Sequence, residues 1–257
     1  MCAFRILLIS TLLWVGGCKT GKTPQPEQAP VKQQIHFNNT EDYDPYPSVG
    51  SIMDEQGLLI GSGVLVRSDV VLTAAHVVCS GRSAFSFFVG EENILIEFII
   101  LHPNYDINDN TENDIALVFL ACDSIYPPVQ LHQGETLTRG KLLTVVGYSG
   151  GSKRYSSFGT FWYYGTLIDQ PSQIKWLAIE ATVWFGDSGG GVFCYFGGEE
   201  KLIGVVSNLS TYKNRAYENS ATSISYFYDW IMEELNERMV TKQNSSNDDN
   251  KRRNYLR

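Results

Sequence analysis

Charged residues and histidines are scarce in this sequence, and each shortage excludes some classes of protein or function. Charged residues make up 19% of the 257 residues and hydrophobic residues 43%, so the chain is too apolar for a disordered protein and can fill a core. The net charge of −8 leaves no basic footprint, so nucleic acid is not an expected partner. Three of the four histidines, His36, His102 and His132, have no ligand-like spacing, and we expect no metal or other cofactor.

The N-terminus lacks an apolar run long enough to cross a bilayer. Arg5 precedes a run of about ten residues, Ile6 to Val15, which suits a signal peptide. The run ends in Val15-Gly16-Gly17-Cys18, which resembles the lipobox of bacterial lipoproteins. This resemblance implies a signal peptide over residues 1–17 and an exported protein anchored to a membrane by lipidated Cys18. An ordinary secretory signal with an incidental cysteine is the alternative.

Two polar segments flank the part of the chain that has apolar alternation. Residues 18–34 contain prolines and little apolar content, as in a flexible tether or a propeptide. Lys19 follows the cysteine where an aspartate would favour the inner membrane, so we expect the outer membrane or periplasm of a Gram-negative bacterium. Residues 241–257 have no apolar pattern and are expected to be disordered. A folded domain is therefore predicted over residues 35–240.

Short apolar alternations between turn residues predict an all-β domain. The 23 glycines, 13 phenylalanines and 14 tyrosines suit many short strands and turns. Two sets of strands are predicted, at 49–52, 58–60, 61–66, 70–72, 94–101 and 115–120, and at 142–146, 160–168, 176–181, 191–195 and 202–206. They favour two antiparallel barrels or sandwiches. Near the end, apolar residues from Ile224 to Leu235 recur at three- and four-residue steps and predict a helix.

A glycine-rich turn, Gly186-Asp187-Ser188-Gly189-Gly190, carries the chemistry predicted from the residues. A serine on such a turn exposes its Oγ, and the N–H groups of Gly186 and Ser188 can converge on one ligand atom. A nucleophile with two convergent donors is what acyl transfer requires. Taken alone, the motif could also be a plain turn between strands.

Three motifs together resemble a trypsin-like (chymotrypsin-fold) serine protease of family S1 over residues 35–240. They are Thr73-Ala74-Ala75-His76, Asp114-Ile115-Ala116-Leu117 and Gly186-Asp187-Ser188-Gly189-Gly190, in the family's order of His, Asp and Ser. Gly204-Val205-Val206-Ser207 and Asp229-Trp230-Ile231 are further matches. The resemblance implies two antiparallel six-stranded β-barrels with a C-terminal α-helix.

The resemblance also implies a serine endopeptidase that acts through an acyl-enzyme on a protein or peptide substrate. Ser188 is the expected nucleophile, His76 the general base and acid, and Asp114 the residue that orients the imidazole. The N–H groups of Gly186 and Ser188 are the expected oxyanion hole, and Ser207 is expected to support Asp114. We expect a monomer.

The expected substrate pocket departs from that of proteases that cut after basic residues. Thr182 stands at the position of the pocket floor, where an acidic residue would favour Arg or Lys, and apolar Val183 follows. Leu209 stands two residues after Ser207, where the family often has a glycine. These residues predict cleavage after small or medium uncharged residues.

The sequence allows two alternatives for how the protease becomes active. In the family a freed N-terminal residue pairs with the aspartate before the nucleophile, here Asp187. Ile35 lies at the expected distance before Pro47, although Ile35-His36-Phe37-Asn38 departs from the usual Ile-Val-Gly-Gly. Cleavage after Gln34 would activate a zymogen and release it from the tether. In the alternative, Asp187 pairs with an internal cation.

Cys79, Cys122 and Cys194 remain after the signal peptide and the lipidated cysteine. An exported protein can form a disulfide, and three cysteines leave one over. A bridge between Cys79 and Cys122 would lie within the first barrel and is favoured. In the alternative, all three are buried thiols. The family's cysteine after the catalytic histidine is Val77 here, and its usual partner site is Gly61.

Other functional classes fit the sequence less well. A catalytically silent trypsin-like scaffold or binding protein is the main alternative, but such proteins usually lose the serine or the histidine. An esterase is chemically possible with the same residues. A protease with an appended peptide-binding domain is not expected, because the 17 residues after residue 240 are too few for a domain.

Overall fold

The structure is a computed structural model that describes residues 44–79, 81, 83–108, 112–134, 137–138, 140–149, 155–164, 173–178, 183–211 and 217–238. All of them belong to one compact unit, Gln34–Arg257, whereas Met1–Gln33 lies outside the described residues. The predictions for Cys18, Ile35, Thr182 and residues 241–257 also fall outside these ranges.

The first six strands close into a barrel. They are β1 (Val49–Asp54), β2 (Leu59–Arg67), β3 (Val70–Thr73), β4 (Ala84–Val89), β5 (Glu92–Leu101) and β6 (Ala116–Leu120). Their spatial order is β1-β2-β3-β6-β5-β4, and the pairs are antiparallel. A one-turn helix, α1 (Ala75–Cys79), follows β3.

The next six strands close into a second barrel. They are β7 (Leu142–Gly147), β8 (Tyr155–Tyr164), β9 (Gln173–Ala178), β10 (Gly191–Phe196), β11 (Glu199–Thr211) and β12 (Tyr217–Ser223), in the order β10-β11-β12-β9-β8-β7. Helix α2, residues 224–238, follows β12. The predicted fold of two six-stranded barrels and a C-terminal helix is confirmed. Within the described ranges, no helix combines the length and the apolar character that crossing a bilayer requires.

One apolar core holds the first barrel and helix α2 together. Ile224, Phe227, Ile231 and Leu235 of α2 are buried in the same cluster as Leu72 and Leu117 of the barrel. Their spacing of three and four residues places them on one helix face, as the apolar pattern predicts. At the helix end, Arg67 Nη1 donates to the carbonyl of Leu235 at 2.9 Å and so satisfies a carbonyl that has no partner within the helix.

Two strands were missed by the apolar pattern. Strand β4 alternates poorly between exposed and buried residues. Strand β12 is polar, and its residues Asn219, Ser220 and Thr222 are buried nonetheless. A strand that fills a barrel with polar side chains has no hydrophobic period to detect. In the same barrel, β8 and β9 begin earlier than the predicted 160–168 and 176–181.

The favoured bridge between Cys79 and Cys122 is wrong, because none of the three described cysteines is in a disulfide. Cys79 ends α1 with its Sγ 3.6 Å from the Tyr105 hydroxyl, whereas Cys122 is exposed after β6. Cys194 is buried on β10, and its Sγ donates to the Leu142 carbonyl at 3.6 Å. The alternative of three buried thiols is confirmed in that all three cysteines are free, but it is wrong on burial, because only Cys194 is buried.

Candidate active site

Strand pairing brings His76 and Asp114 together although 38 residues separate them. Thr73, the last residue of β3, pairs with Ala116, the first residue of β6. His76 follows the first of these residues and Asp114 precedes the second, so both lie at the same edge of the first barrel. The His76 Nδ1–Asp114 Oδ2 distance is 2.8 Å, and the His76 backbone N–H donates to Oδ1 at 2.9 Å. The carboxylate therefore sets both the position and the tautomer of the imidazole.

Asp114 is buried, with 1% of its surface exposed, and is supported from the second barrel. Ser207 Oγ donates to Oδ2, and Thr222 Oγ1 donates to the Asp114 backbone carbonyl at 2.8 Å. Burying a carboxyl group is costly unless hydrogen bonds such as these satisfy its oxygen atoms. The preceding residue, Asn113, has a φ of 52°, and its carbonyl accepts from Ile115 N–H at 2.8 Å. This tight turn aims the carboxylate at His76.

The turn that carries Ser188 is fastened to the first barrel by Ser62 of β2. Ser62 N–H donates to the Ser188 carbonyl at 2.7 Å, and Ser62 Oγ donates to the Gly186 carbonyl. The same hydroxyl accepts from Tyr148 N–H at 2.7 Å. Ser62 was not predicted as a site residue, although its setting between Gly61 and Gly63 was a sign of close backbone approach. The turn is thus held from both barrels.

Two glycines of the turn cannot be replaced without strain. Gly186 has a φ of 101°, and a Cβ there would lie 2.1 Å from the Tyr148 carbonyl oxygen. Gly189 has a φ of 83°, and a Cβ there would lie 2.1 Å from the Ser62 carbonyl oxygen. Both the backbone conformation and the close approach therefore require glycine.

The five N–H groups from Gly186 to Gly190 fall into two sets. Three donate to backbone carbonyls, those of Asp187 to Trp184, Gly189 to Val206 and Gly190 to Asp187. The other two, on Gly186 and Ser188, have no acceptor in the part of the chain that the structure describes. Because backbone donors rarely stay unpaired, these two are available to an oxygen atom of a ligand.

The helix of His76 and the turn of Ser188 meet at Gly61. A Cβ on Gly61 would lie 2.5 Å from Val77 Cγ1 and 3.0 Å from the Ser188 carbonyl oxygen. Val77 directly follows His76, so this contact places the histidine's helix against the serine's turn. The His76 side chain is 25% exposed, so its ring remains accessible to a ligand.

Asp187 is a buried carboxyl group with no cation beside it among the described residues. It is 6% exposed, and its Oδ2 accepts from Trp184 N–H at 2.9 Å, while Oδ1 has no partner of hydrogen-bonding geometry. Burial raises the pKa of Asp187 to about 6, and the Trp184 N–H and the Ser149 hydroxyl act in the opposite direction. The ionised form is therefore disfavoured in this environment.

The predicted pocket residues do not all lie in the same environment. Val183 is 5% exposed and belongs to the core of the second barrel, and Ser207 is bonded to Asp114. Leu209 pairs with Asn219 of β12, a residue that sequence reasoning missed because nothing in a polar strand marks it. Trp184 and Phe185 before Gly186 are 69% and 96% exposed. No group of three or more His, Cys, Asp or Glu side chains that could hold a metal ion occurs among the described residues.

Comparisons with known proteins show the family and the fold of the chain. The family model described as Trypsin matches residues 37–231, more than half of the chain. Cathepsin G from Mus musculus is 35% identical over 119 residues, which cover 40% of this chain and 44% of cathepsin G, so the match spans less than half of that relative. The structure of neuropsin, a serine protease expressed in the limbic system of mouse brain, superposes with a TM-score of 0.61 at 22% identity. It covers 74% of this chain and 95% of neuropsin, and it supports the fold.

Proposed function

The chain belongs to the trypsin family of serine proteases, and we propose that it is an active endopeptidase that cleaves proteins or peptides through an acyl-enzyme on Ser188. The observation that supports activity most directly is the bonded pair of Asp114 and His76 beside the Ser188 turn. A catalytically silent scaffold has no need for that pair, or for two N–H groups that have no acceptor among the described residues.

The residues of the site have distinct roles in the proposed reaction. The Asp114 carboxylate accepts from Nδ1–H, which leaves Nε2 of His76 to take the proton of Ser188 Oγ as that oxygen bonds to the substrate carbonyl carbon. The carbonyl oxygen becomes an oxyanion, to which the N–H groups of Gly186 and Ser188 donate. His76 then returns the proton to the leaving amine, and water releases the acyl group by the same steps.

Labelling with a fluorophosphonate tests this proposal, since the probe reacts with an activated serine. We expect the wild type to be labelled and Ser188→Ala to be unlabelled, with peptide hydrolysis reduced roughly 10⁴-fold or more. Ser68→Ala is a matched control, because Ser68 bonds to Asp123 away from the site. An unlabelled wild type, in both the full-length and the processed chain, would contradict the proposal and favour the scaffold.

Thr182, Val183, Ser207 and Leu209 lead us to propose cleavage after small or medium uncharged residues. The absence of an acidic residue at position 182 argues against a preference for Arg or Lys. A peptide library profiled by mass spectrometry tests this. Dominant cleavage after Arg or Lys would be inconsistent with it.

Asp187 has no cation beside it among the described residues, and this supports the zymogen alternative for activation. A new N-terminus at Ile35 would supply an ammonium group for a carboxyl group that is buried without a described cation. N-terminal sequencing of the labelled chain distinguishes the alternatives. A labelled chain that begins at Ile35 supports processing, and full labelling of a chain still blocked at Cys18 would favour an internal cation.

We also propose that Cys18 carries acyl chains and anchors the protein in the envelope of a Gram-negative bacterium. The lipobox-like Val15-Gly16-Gly17-Cys18 and the polar segment after it support this. Incorporation of labelled palmitate by the wild type and its loss in Cys18→Ser are expected. Equal incorporation by both would argue for lipidation elsewhere or for none.

A further inference from the structure

Asn219 is a fully buried amide without a hydrogen-bond partner among the described residues. It lies on β12 and is 0% exposed, and neither its Oδ1 nor its Nδ2 is bonded. Buried amides are nearly always paired, so an amide without a partner among the described residues calls for one from elsewhere. The backbone of Asn219 needs no such partner, because it pairs with Leu209 of β11 on one side and Trp176 of β9 on the other.

Strand geometry places this amide inside the second barrel. Side chains two residues apart on a strand share a face, and Ala221 packs in the core of the second barrel together with Val183. Asn219 therefore projects to the same interior. The opposite face of β12 looks toward the first barrel, as the bond from Thr222 Oγ1 to the Asp114 carbonyl shows.

The same interior adjoins the serine turn. Val183 lies five residues before Ser188, and Leu209, the strand partner of Asn219, lies two residues after Ser207. Ser207 itself bonds Asp114. The amide of Asn219 thus lies in the interior that Val183 faces, beside the segment that follows Ser207.

We propose that Asn219 selects substrates by hydrogen bonding to a neutral polar side chain, above all the carboxamide of Gln or Asn, on the residue before the cleaved bond. The inference rests on the proposed protease function and specifies its substrate class. An amide offers two donors and one carbonyl acceptor, which match the acceptor and donors of a second amide. An apolar side chain would leave Asn219 unpaired, and a charged one would be buried opposite a neutral group.

Peptides that differ only in the residue before the cleaved bond test this proposal. We expect the wild type to cleave after Gln with a kcat/KM roughly tenfold or more above that for Met, which has a similar size but no amide. Asn219→Ala should bring this ratio close to one by slowing cleavage after Gln. Asn219→Asp should raise cleavage after Arg roughly tenfold or more, because it places a carboxylate where the amide was.

Ser220→Ala is the matched control, since Ser220 is the next residue of the same strand and its side chain points to the other face. It should leave the ratio of Gln to Met unchanged. A wild type that prefers Met, or a ratio unaltered by both Asn219 variants, would overturn the proposal. The wild-type ratio decides the matter even if a variant does not fold.

Fluorophosphonate labelling separates this proposal from the one on which it rests. The probe needs Ser188 and His76 but no side chain in the pocket, so labelling of the wild type reports on the catalytic residues independently of Asn219. A wild type that is neither labelled nor able to cleave any peptide would overturn both proposals. A wild type that is labelled but shows no preference for Gln or Asn would overturn only the assignment of Asn219.

Discussion

Asp187→Asn is expected to stabilise the uncleaved protein at neutral pH. The substitution keeps the shape of a side chain that is 6% exposed, and the amide oxygen can still accept from Trp184 N–H. It removes a carboxyl group that must ionise without a cation among the described residues. The expected gain follows from the pKa of Asp187, which burial raises from 3.8 to about 6.

The sign and size of the effect follow from proton linkage. Between pH 3.8 and about 6 the folded chain holds a proton on Asp187 that the unfolded chain has lost, so the free energy of unfolding falls as the pH rises. About 2 pH units at about 1.4 kcal/mol each give about 3 kcal/mol, fully present above pH 6. The advantage of Asp187→Asn should therefore be small near pH 4 and reach up to about 3 kcal/mol at pH 8.

Denaturant titration at pH 4, 6 and 8 measures this difference, in a Ser188→Ala background that prevents self-cleavage. Asp69→Asn is a contrasting control, because Asp69 is equally buried but accepts from Arg67 Nε, so its loss should destabilise the protein at pH 8. Equal or lower stability of Asp187→Asn at pH 8 would refute the reasoning. In a chain that begins at Ile35, the paired ammonium should reverse the sign.

Three further predictions concern the contacts that build the site. Ser207→Ala removes a hydrogen bond to the Asp114 carboxylate, so kcat/KM for a fixed peptide should fall roughly tenfold. An unchanged kcat/KM would show that this hydrogen bond does not contribute to catalysis. Gly189→Ala forces a Cβ to 2.1 Å from a backbone oxygen of β2 at a φ of 83°, and thermal unfolding should show a loss of about 2 kcal/mol or more. The double variant Gly61→Cys and Val77→Cys should form a disulfide, because a Cβ at residue 61 would touch the side chain of residue 77. The disulfide should raise the free energy of unfolding by about 2–4 kcal/mol, and a reductant should abolish the gain. Free thiols found by mass spectrometry would contradict this prediction.

The order of the motifs and the alternation of apolar residues were enough to predict the family and the two-barrel fold. Strands such as β6, in which all five residues are buried, can be predicted from their apolar composition. The faces of helix α2 are equally plain, since its buried residues recur every three or four positions. Strand β12 could not be predicted in this way, because its buried side chains are polar and their partners lie on other segments.

Some features of the candidate site could likewise be predicted from the sequence, and others could not. Local sequence determined that Ser188 would sit on a glycine turn, because only glycine adopts the φ of 101° and 83° found on either side of it. It also determined which residue types were available for acyl transfer. Both properties depend on residues that are adjacent in the chain, so they can be predicted from the sequence.

Tertiary structure alone decided how far the other groups are from water and from one another. The contact of His76 with Asp114 depends on the register of β3 and β6, and the bond from Ser207 on the packing of one barrel against the other. The raised pKa of Asp187 comes from burial by segments distant in the chain, and so does the burial of the Asn219 amide, which has no partner among the described residues. Desolvation depends on everything that surrounds a group, so no local pattern of residues encodes it.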